Sequence, residues 1–589
     1  MDPKSPYNQE LVKGFFGDRT ELISREKQQR SDYSFRQSLS PTAQKACSIV
    51  SSIRLQEHST IWSRQDPHSN SKSNDETSDP NLEQEPEELF PGMIFNSAKN
   101  HMESTKLWRI VQKMPKGALL HCHLGAMVDL EWLFDQAIQT EGMVISATQA
   151  LIDDKSRKKA VVKVEFSDPI VAIEGKTIWE DGYEAGTKLQ LKSAAETFPE
   201  GGVSGFLKWM KERCSITQSE AVQNHLGVDD IWRKLQASFV MITPVVYYEP
   251  ITRKFFRKFL ETAYKDGIRW VEFRGITRSF RIEGQTELVE NRLELVRVYK
   301  EEIDRFMASE EGKGFWGCRL IWDTLRSFDD EAIVTGTFSR NIFRLFPKTE
   351  TDEKSDMRIC MQAKKLYPTL ISGYDLVGPE DFGRTLHSLS PVLLWFRTQC
   401  TAQNLTIPFF FHAGECVGDG DSTDQNLFDA ILLKSRRLGH AFSLYKHPLL
   451  IDMVKEKHIM VECCPISNEV LRYTASIKMH PLPALLARGV KASLSNDDPS
   501  LMGQGSAGLS HDFWQALQGW ENLGLAGLGS LAQNSVGYSA YDDQSDDEWL
   551  DDISKSVSGT GIRAQRIEQW NAEWEEFCGW IVKEFGDVE

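Results

Sequence analysis

Short apolar runs, each strand-length and each ending in polar residues, recur along the chain at intervals filled by helix-length segments. They lie at 118–123 (ALLHCH), 268–274 (IRWVEFR), 317–322 (GCRLIW), 370–377 (LISGYDLV), 408–411 (PFFF), 437–442 (RLGHAF), 458–464 (HIMVECC) and 490–494 (VKASL). The three aromatics Phe409, Phe410 and Phe411 predict a strand buried on both faces, halted by His412, Ala413, Gly414 and Glu415. Eight such units over about 400 residues favour an α/β fold of the (β/α)₈ barrel type over a doubly wound sheet. In such a barrel, chemistry sits at the C-terminal strand ends.

The segments around this body have different rhythms. Helical patterns occupy 18–37 and 42–56, the latter opened by Ser40 before Pro41 as N-cap and first helical residue, and together they make an N-terminal extension over 1–63. The stretch 64–90 is Asp, Glu, Ser, Asn and Pro with almost nothing apolar, which marks a disordered linker before the barrel at 91–589. An insertion follows the first strand at about 140–225, with an alternating strand pattern at 161–166. Helices are predicted at 228–241 and 250–266, an acidic loop at about 541–558, and a last helix at 562–585 carrying Trp570, Trp574, Phe577 and Trp580 mostly on one face.

Composition narrows the function classes. The 589 residues are 40% hydrophobic and 26% charged, enough for a large core, and 68 basic against 85 acidic residues give a net charge of −17. Such a field attracts neither nucleic acid nor an anionic membrane, and a small neutral or cationic substrate is the easier fit. With a polar start and no run of about 18 apolar residues, the expectation is a soluble, cytoplasmic protein. The ten cysteines form no repeating framework, so disulfides are not expected, and Cys463 and Cys464, pointing to opposite faces of a strand, read as core.

The strand ends then supply candidate chemistry. His121 and His123, at i and i+2 on a strand, share a face and can share one ion. His412, Glu415, His440, Asp497 and Asp498 close later strands, Gly378 follows the fourth, and the seventh ends in Pro465-Ile466-Ser467-Asn468. His121, His123, His412 and Asp497 make a set for one zinc-like divalent ion with a position left for water. His440 and Asp498 then orient water and substrate, and Glu415 faces the substrate as acid. The fourth strand offers no lysine for a bridged two-metal site, which favours one metal. His225, His447 and His480 read as surface or core groups.

The motifs MPKGALLHCH, SGYDLVGPED, FFFHAGE, RLGHAF and SLSNDDP resemble, in order and spacing, those of the adenosine deaminase superfamily, and more closely its growth-factor branch. That resemblance implies one Zn²⁺ on His121, His123, His412 and Asp497. It also implies Glu415 as the acid that protonates a purine ring nitrogen, and His440 as the group that orients or deprotonates water and steadies the oxyanion. Asp498 would bond the second-ring nitrogen, the Gly378 N–H the ring nitrogen on the sugar side, and Trp232 would lie near the ribose. The expected reaction is hydrolysis of adenosine or 2′-deoxyadenosine, and the expected assembly a homodimer through the N-terminal helices. Three departures stand out. Gly125 occupies the place of an Asp that binds the ribose 5′-hydroxyl, leaving 5′- or N6-substituted adenine nucleosides or a nucleotide as alternative substrates. The signal peptide and disulfides of secreted members are not seen. Ala441 stands where relatives commonly have Gly, a change the backbone is expected to tolerate. A reading of another class is a catalytically silent binding or signalling protein on the same barrel.

Overall fold

The protein's structure, a computed structural model, describes residues 9–62, 89–167, 177–275, 280–328 apart from 284, 286–287 and 290, 356–505 and 508–588. The expected linker at 64–90 falls almost wholly outside the described residues. Eight parallel strands follow one another in chain order: β1 (Gly117–Leu119), β2 (Ile268–Gly275), β3 (Gly317–Leu325), β4 (Ile371–Val377), β5 (His412–Ala413), β6 (Arg437–His440), β7 (Met460–Cys463) and β8 (Ala492–Leu494). Regular ladders join β1 to β4 and β5 to β8 as two four-stranded sheets.

Single bridges close both seams. Tyr374 of β4 pairs with Phe409, donating its N–H to the Pro408 carbonyl at 2.9 Å and accepting that of Phe410 at 3.0 Å. Cys122 pairs with Asp497: the His123 N–H donates to the Asp497 carbonyl at 3.1 Å and the Asp497 N–H to the His121 carbonyl at 3.2 Å. The sheet therefore closes into the expected (β/α)₈ barrel. The seams are thin where the chain leaves extended geometry to aim side chains inward, as Asp497 does with φ +57°. The run at 408–411 is expected as a strand, yet regular pairing begins only at His412: Pro408 has no N–H to give a ladder, and the Phe411 N–H goes to the Ser435 hydroxyl at 3.0 Å. Its aromatics are all buried and alternate: Phe409 stacks on Phe411 at 4.5 Å, while Phe410 lies under the Arg437 guanidinium at 4.0 Å.

The N-terminal extension is α1 (Gln9–Gln29), a short helix Tyr33–Gln37, and α2 (Pro41–Thr60). The helix expected over 18–37 starts earlier and breaks at Arg30–Asp32, where the Asp32 carboxylate accepts from both Arg30 and Arg36. Ser40 caps α2 by accepting the Ala43 N–H at 3.0 Å. Helix α3 (Lys106–Lys113) leads into β1.

The insertion builds an antiparallel three-stranded sheet of Met143–Ala147, Val162–Phe166 and Leu189–Gln190, followed by helix Gly202–Cys214. Helix α4 (Gly227–Val246) follows, and the short α5 (Pro465–Val470) hangs from the end of β7. The acidic stretch 541–558, expected as a loop, instead holds helix α6 (Asp546–Lys555). Its N-terminus has a capping box between Ser545 and Glu548, and Trp549 is buried between Arg436 and Arg563. The last helix, α7 (Ile562–Phe585), packs Trp570 and Trp574 around Phe35 at 6.1 and 5.6 Å, tying the C-terminus to the extension. Among the described residues no helix is long and apolar enough to cross a membrane, and all ten cysteines are free.

Candidate active site

Residues scattered over nearly 400 positions of sequence meet at the C-terminal mouth of the barrel. One ligating atom each from His121, His123, His412 and Asp497 lies within 4.8 Å of the others. The Asp497 Oδ1 stands 3.4 Å from His121 Nε2 and 3.2 Å from His123 Nε2. Glycine makes this crowding possible: a Cβ on Gly439 would sit 2.8 Å from His121 Cε1, so no side chain fits there.

The opposite edges of two of these imidazoles are held by carboxylates. His121 Nδ1 meets Glu462 at 2.8 Å, and His412 Nδ1 meets Asp375 at 2.7 Å. Arg274 bridges the two acids, at 2.6 Å to Asp375 and 2.8 Å to Glu462, and Arg437 joins Glu462 to Glu272 below. All five side chains are buried inside the barrel, where each charge needs these partners. Such carboxylates take the Nδ1–H and leave Nε2 free to ligate.

The electrostatics divide the site by role. Burial pushes His412 down to about 3 and also lowers His123 and His440, so these rings are neutral, as ligation demands. Asp497, although buried, is held well below the usual carboxylate range by the imidazoles of His121, His123 and His440 that surround it. Burial, then the negative charge of Asp497, drives Glu415 and Asp498 the other way, well above the ordinary range. Two carboxyls are thereby kept protonated beside one that is not, the separation an acid catalyst requires.

His440 lies in the same cluster, its Nδ1 3.5 Å from Glu415 Oε1 and its Nε2 3.8 Å from Asp497 Oδ2. His121 Nε2, His440 Nε2, Glu415 Oε1 and Asp498 Oδ1 are buried and make no hydrogen bond to the protein. Four inward-facing polar atoms of this kind fit a cation and a polar substrate. His440 and Ala441 adopt left-handed backbone at φ +60° and +45°. A glycine would be relaxed at 441, whereas alanine costs roughly 1–2 kcal/mol there.

The remaining expected residues are nearby. Gly378 directly follows β4 at φ +100°. Trp232, on α4, is half-buried and donates its Nε1–H to the Tyr473 hydroxyl at 2.8 Å. A Cβ on Gly125 would meet only Phe239, at an ordinary 3.5 Å. Several groups were not singled out by sequence reasoning. Glu380 accepts the Glu415 N–H at 2.8 Å and the Asn426 amide at 2.6 Å, Ser467 donates to Asp497 at 2.7 Å, and Asp375, Glu462 and Arg274 hold the imidazoles. The available signal was a charged residue in the middle of an apolar strand, as in IRWVEFR and HIMVECC.

The chain is similar to several known proteins. A family model described as adenosine deaminase matches residues 321–556. Adenosine deaminase 2 of Sus scrofa is 30% identical over 495 residues, spanning 84% of this chain and 84% of its own. Adenosine deaminase 2 of Homo sapiens is 27% identical over 494 residues, 83% of each chain, and adenosine deaminase of Lutzomyia longipalpis 28% over 509 residues, 84% of each.

Proposed function

We propose that this chain, which belongs to the adenosine deaminase family and is on that ground a deaminase, adds water to adenosine or 2′-deoxyadenosine to give inosine or 2′-deoxyinosine and ammonia. The observation that carries the reading is Glu415: a buried carboxyl, kept protonated by burial and by Asp497, at the edge of a three-histidine, one-aspartate cluster.

The donor set suits one zinc-class divalent ion, with neutral nitrogens, one carboxylate, and a buried His121 Nε2 left without a hydrogen bond. His121, His123, His412 and Asp497 would hold it, and a bound ion of this class supplies the Lewis acidity that brings the pKa of water towards 7. The chain's own groups do the rest. Glu415 gives its proton to a ring nitrogen of the purine, drawing electrons from the carbon that bears the amino group. His440 orients the attacking water and steadies the oxygen as negative charge develops. Asp498 hydrogen-bonds the second-ring nitrogen, the Gly378 N–H meets the nitrogen on the sugar side, and Trp232 with Tyr473 lies towards the ribose. The remaining proton of the added water then passes to the amino group, the C–N bond breaks as the carbonyl forms, and the amino group leaves as ammonia.

A second reading rests on Gly125. With no carboxylate at that position and the Phe239 ring facing it, the negative charge that would repel a 5′-phosphate is missing there, so a 5′- or N6-substituted adenine nucleoside or nucleotide is the alternative substrate. The proposal extends to assembly. Helix α1 carries Leu11 and Phe15 at 72% and 63% exposure, with Phe16 and Leu22 also exposed, an apolar surface suited to a second copy in a homodimer.

The test is ultraviolet-monitored turnover by zinc-loaded protein of adenosine, 2′-deoxyadenosine, AMP, methylthioadenosine and N6-methyladenosine side by side. Preference for the free nucleosides, reduced at least about 10²-fold in Glu415→Gln, is the expected result. Preference for a substituted compound moves the assignment to the second reading, and no turnover of any of them overturns both.

A further inference from the structure

His480 lies in a loop before the eighth strand, outside the ligand cluster, yet it is connected to it. Its Nε2 is 3.1 Å from Asn468 Oδ1, and the Asn468 Nδ2 is 3.2 Å from His440 Nδ1. The direction of this chain of bonds follows from its far end. The backbone N–H of Leu482 meets His480 Nδ1 at 3.1 Å, and a backbone N–H only donates. His480 Nδ1 must therefore accept, and the ring's proton sits on Nε2.

That N–H faces Asn468 and sets its amide with oxygen towards His480 and nitrogen towards His440. The reversed amide would oppose donor to donor at His480. The Asn468 N–H₂ in turn obliges His440 Nδ1 to accept, so the His440 proton sits on Nε2. Burial keeps His480 neutral by pushing it down to about 3, and it is packed by Phe442 and Trp520, each with ring centres 5.4 Å away. Glu415 Oε1, the other neighbour of His440 Nδ1, is farther at 3.5 Å.

We propose that Asn468 and His480 are positioning residues that fix His440 in the Nε2–H tautomer, making it a hydrogen-bond donor to the attacking oxygen, whose proton is given up to solvent, rather than the base that takes that proton. This rests on the deaminase reading above and chooses between the two roles left open for His440. It also assigns a task to a histidine that reads as core in the sequence. Because His440 Nδ1 is occupied by Asn468, it does not draw on the Glu415 proton, which stays available to the purine. The geometry explains why an uncharged amide stands at 468: an aspartate would accept from both rings, and His440 would turn its N–H away from the site.

Nitrogen-15 NMR of histidine-labelled, zinc-loaded protein reads the tautomer directly. The wild type is expected to show His440 as Nε2–H, and Asn468→Asp as Nδ1–H. The same substitution should lower kcat on the order of 10²-fold while KM for adenosine changes less than about threefold, the mark of an interaction made in the transition state. His480→Gln, which still donates to Asn468, should keep kcat within about tenfold of wild type, whereas His480→Leu should fall as far as Asn468→Asp. An Nδ1–H signal for His440 in the wild type overturns the proposal without any variant, as does Asn468→Asp with unchanged tautomer and kcat. A wild type inert towards all five adenine compounds but showing Nε2–H defeats the deaminase reading and leaves only the tautomer assignment standing.

Discussion

Two of the three clustered imidazoles, those of His121 and His412, are only as well placed as the acids behind them. Glu462 and Asp375 accept from His121 and His412 and are themselves held by Arg274, so removing either charge frees a ring to turn. Glu462→Gln or Asp375→Asn should weaken zinc retention by about 10–100-fold, measured by competition with a chelator, while the overall fold is kept. Retention equal to wild type would mean the rings are positioned by packing alone. His121 and His123 were legible because a two-residue spacing on a strand shares a face whatever the rest of the chain does. Glu462 and Asp375 were not legible, because their partners lie 341 and 37 positions away and only barrel closure brings them together.

Among the elements, the junction between α2 and α3 shows how the extension is fastened to the barrel. Glu57 of α2 accepts the Leu107 N–H at 3.1 Å, capping α3 from outside, while its second oxygen is buried without a partner. Burial raises its carboxyl to about 7 from an ordinary value near 4.5. The folded state therefore binds the proton more tightly than the unfolded chain. This contribution to stability is complete below about 4.5 and is lost as pH rises through about 7. At about 1.4 kcal/mol per pKa unit, the loss is about 3–4 kcal/mol. Between pH 5 and 8, measured by thermal unfolding, the Tm of the wild type should fall relative to that of Glu57→Gln, and parallel curves would refute the assignment. The strand pattern itself was read from apolar runs with small errors at the ends. The helix α6 was missed because its acidic sequence hides a capping box and one buried tryptophan, whose arginine partners come from distant segments.

For the molecule as a whole, α1 presents exposed apolar side chains among the described residues, Phe15, Phe16 and Leu22. Light scattering at micromolar concentration should give the mass of a dimer for the full chain and of a monomer after removal of residues 1–29, and a full-length monomer would end the assembly proposal. The sequence alone determined the eight apolar runs, the identity of the polar residue at each strand end, and the two-histidine spacing of the first, since these depend on backbone periodicity and local chemistry. Only the tertiary structure decided which carboxyls are ionised. Asp497 and Asp498 are neighbours in sequence and opposite in protonation, because one faces two imidazoles and the other faces burial and its neighbour's charge. It also decided that His480, a lone histidine in the sequence, reaches His440 through Asn468, since hydrogen-bond direction is set by which atoms meet and not by their order along the chain.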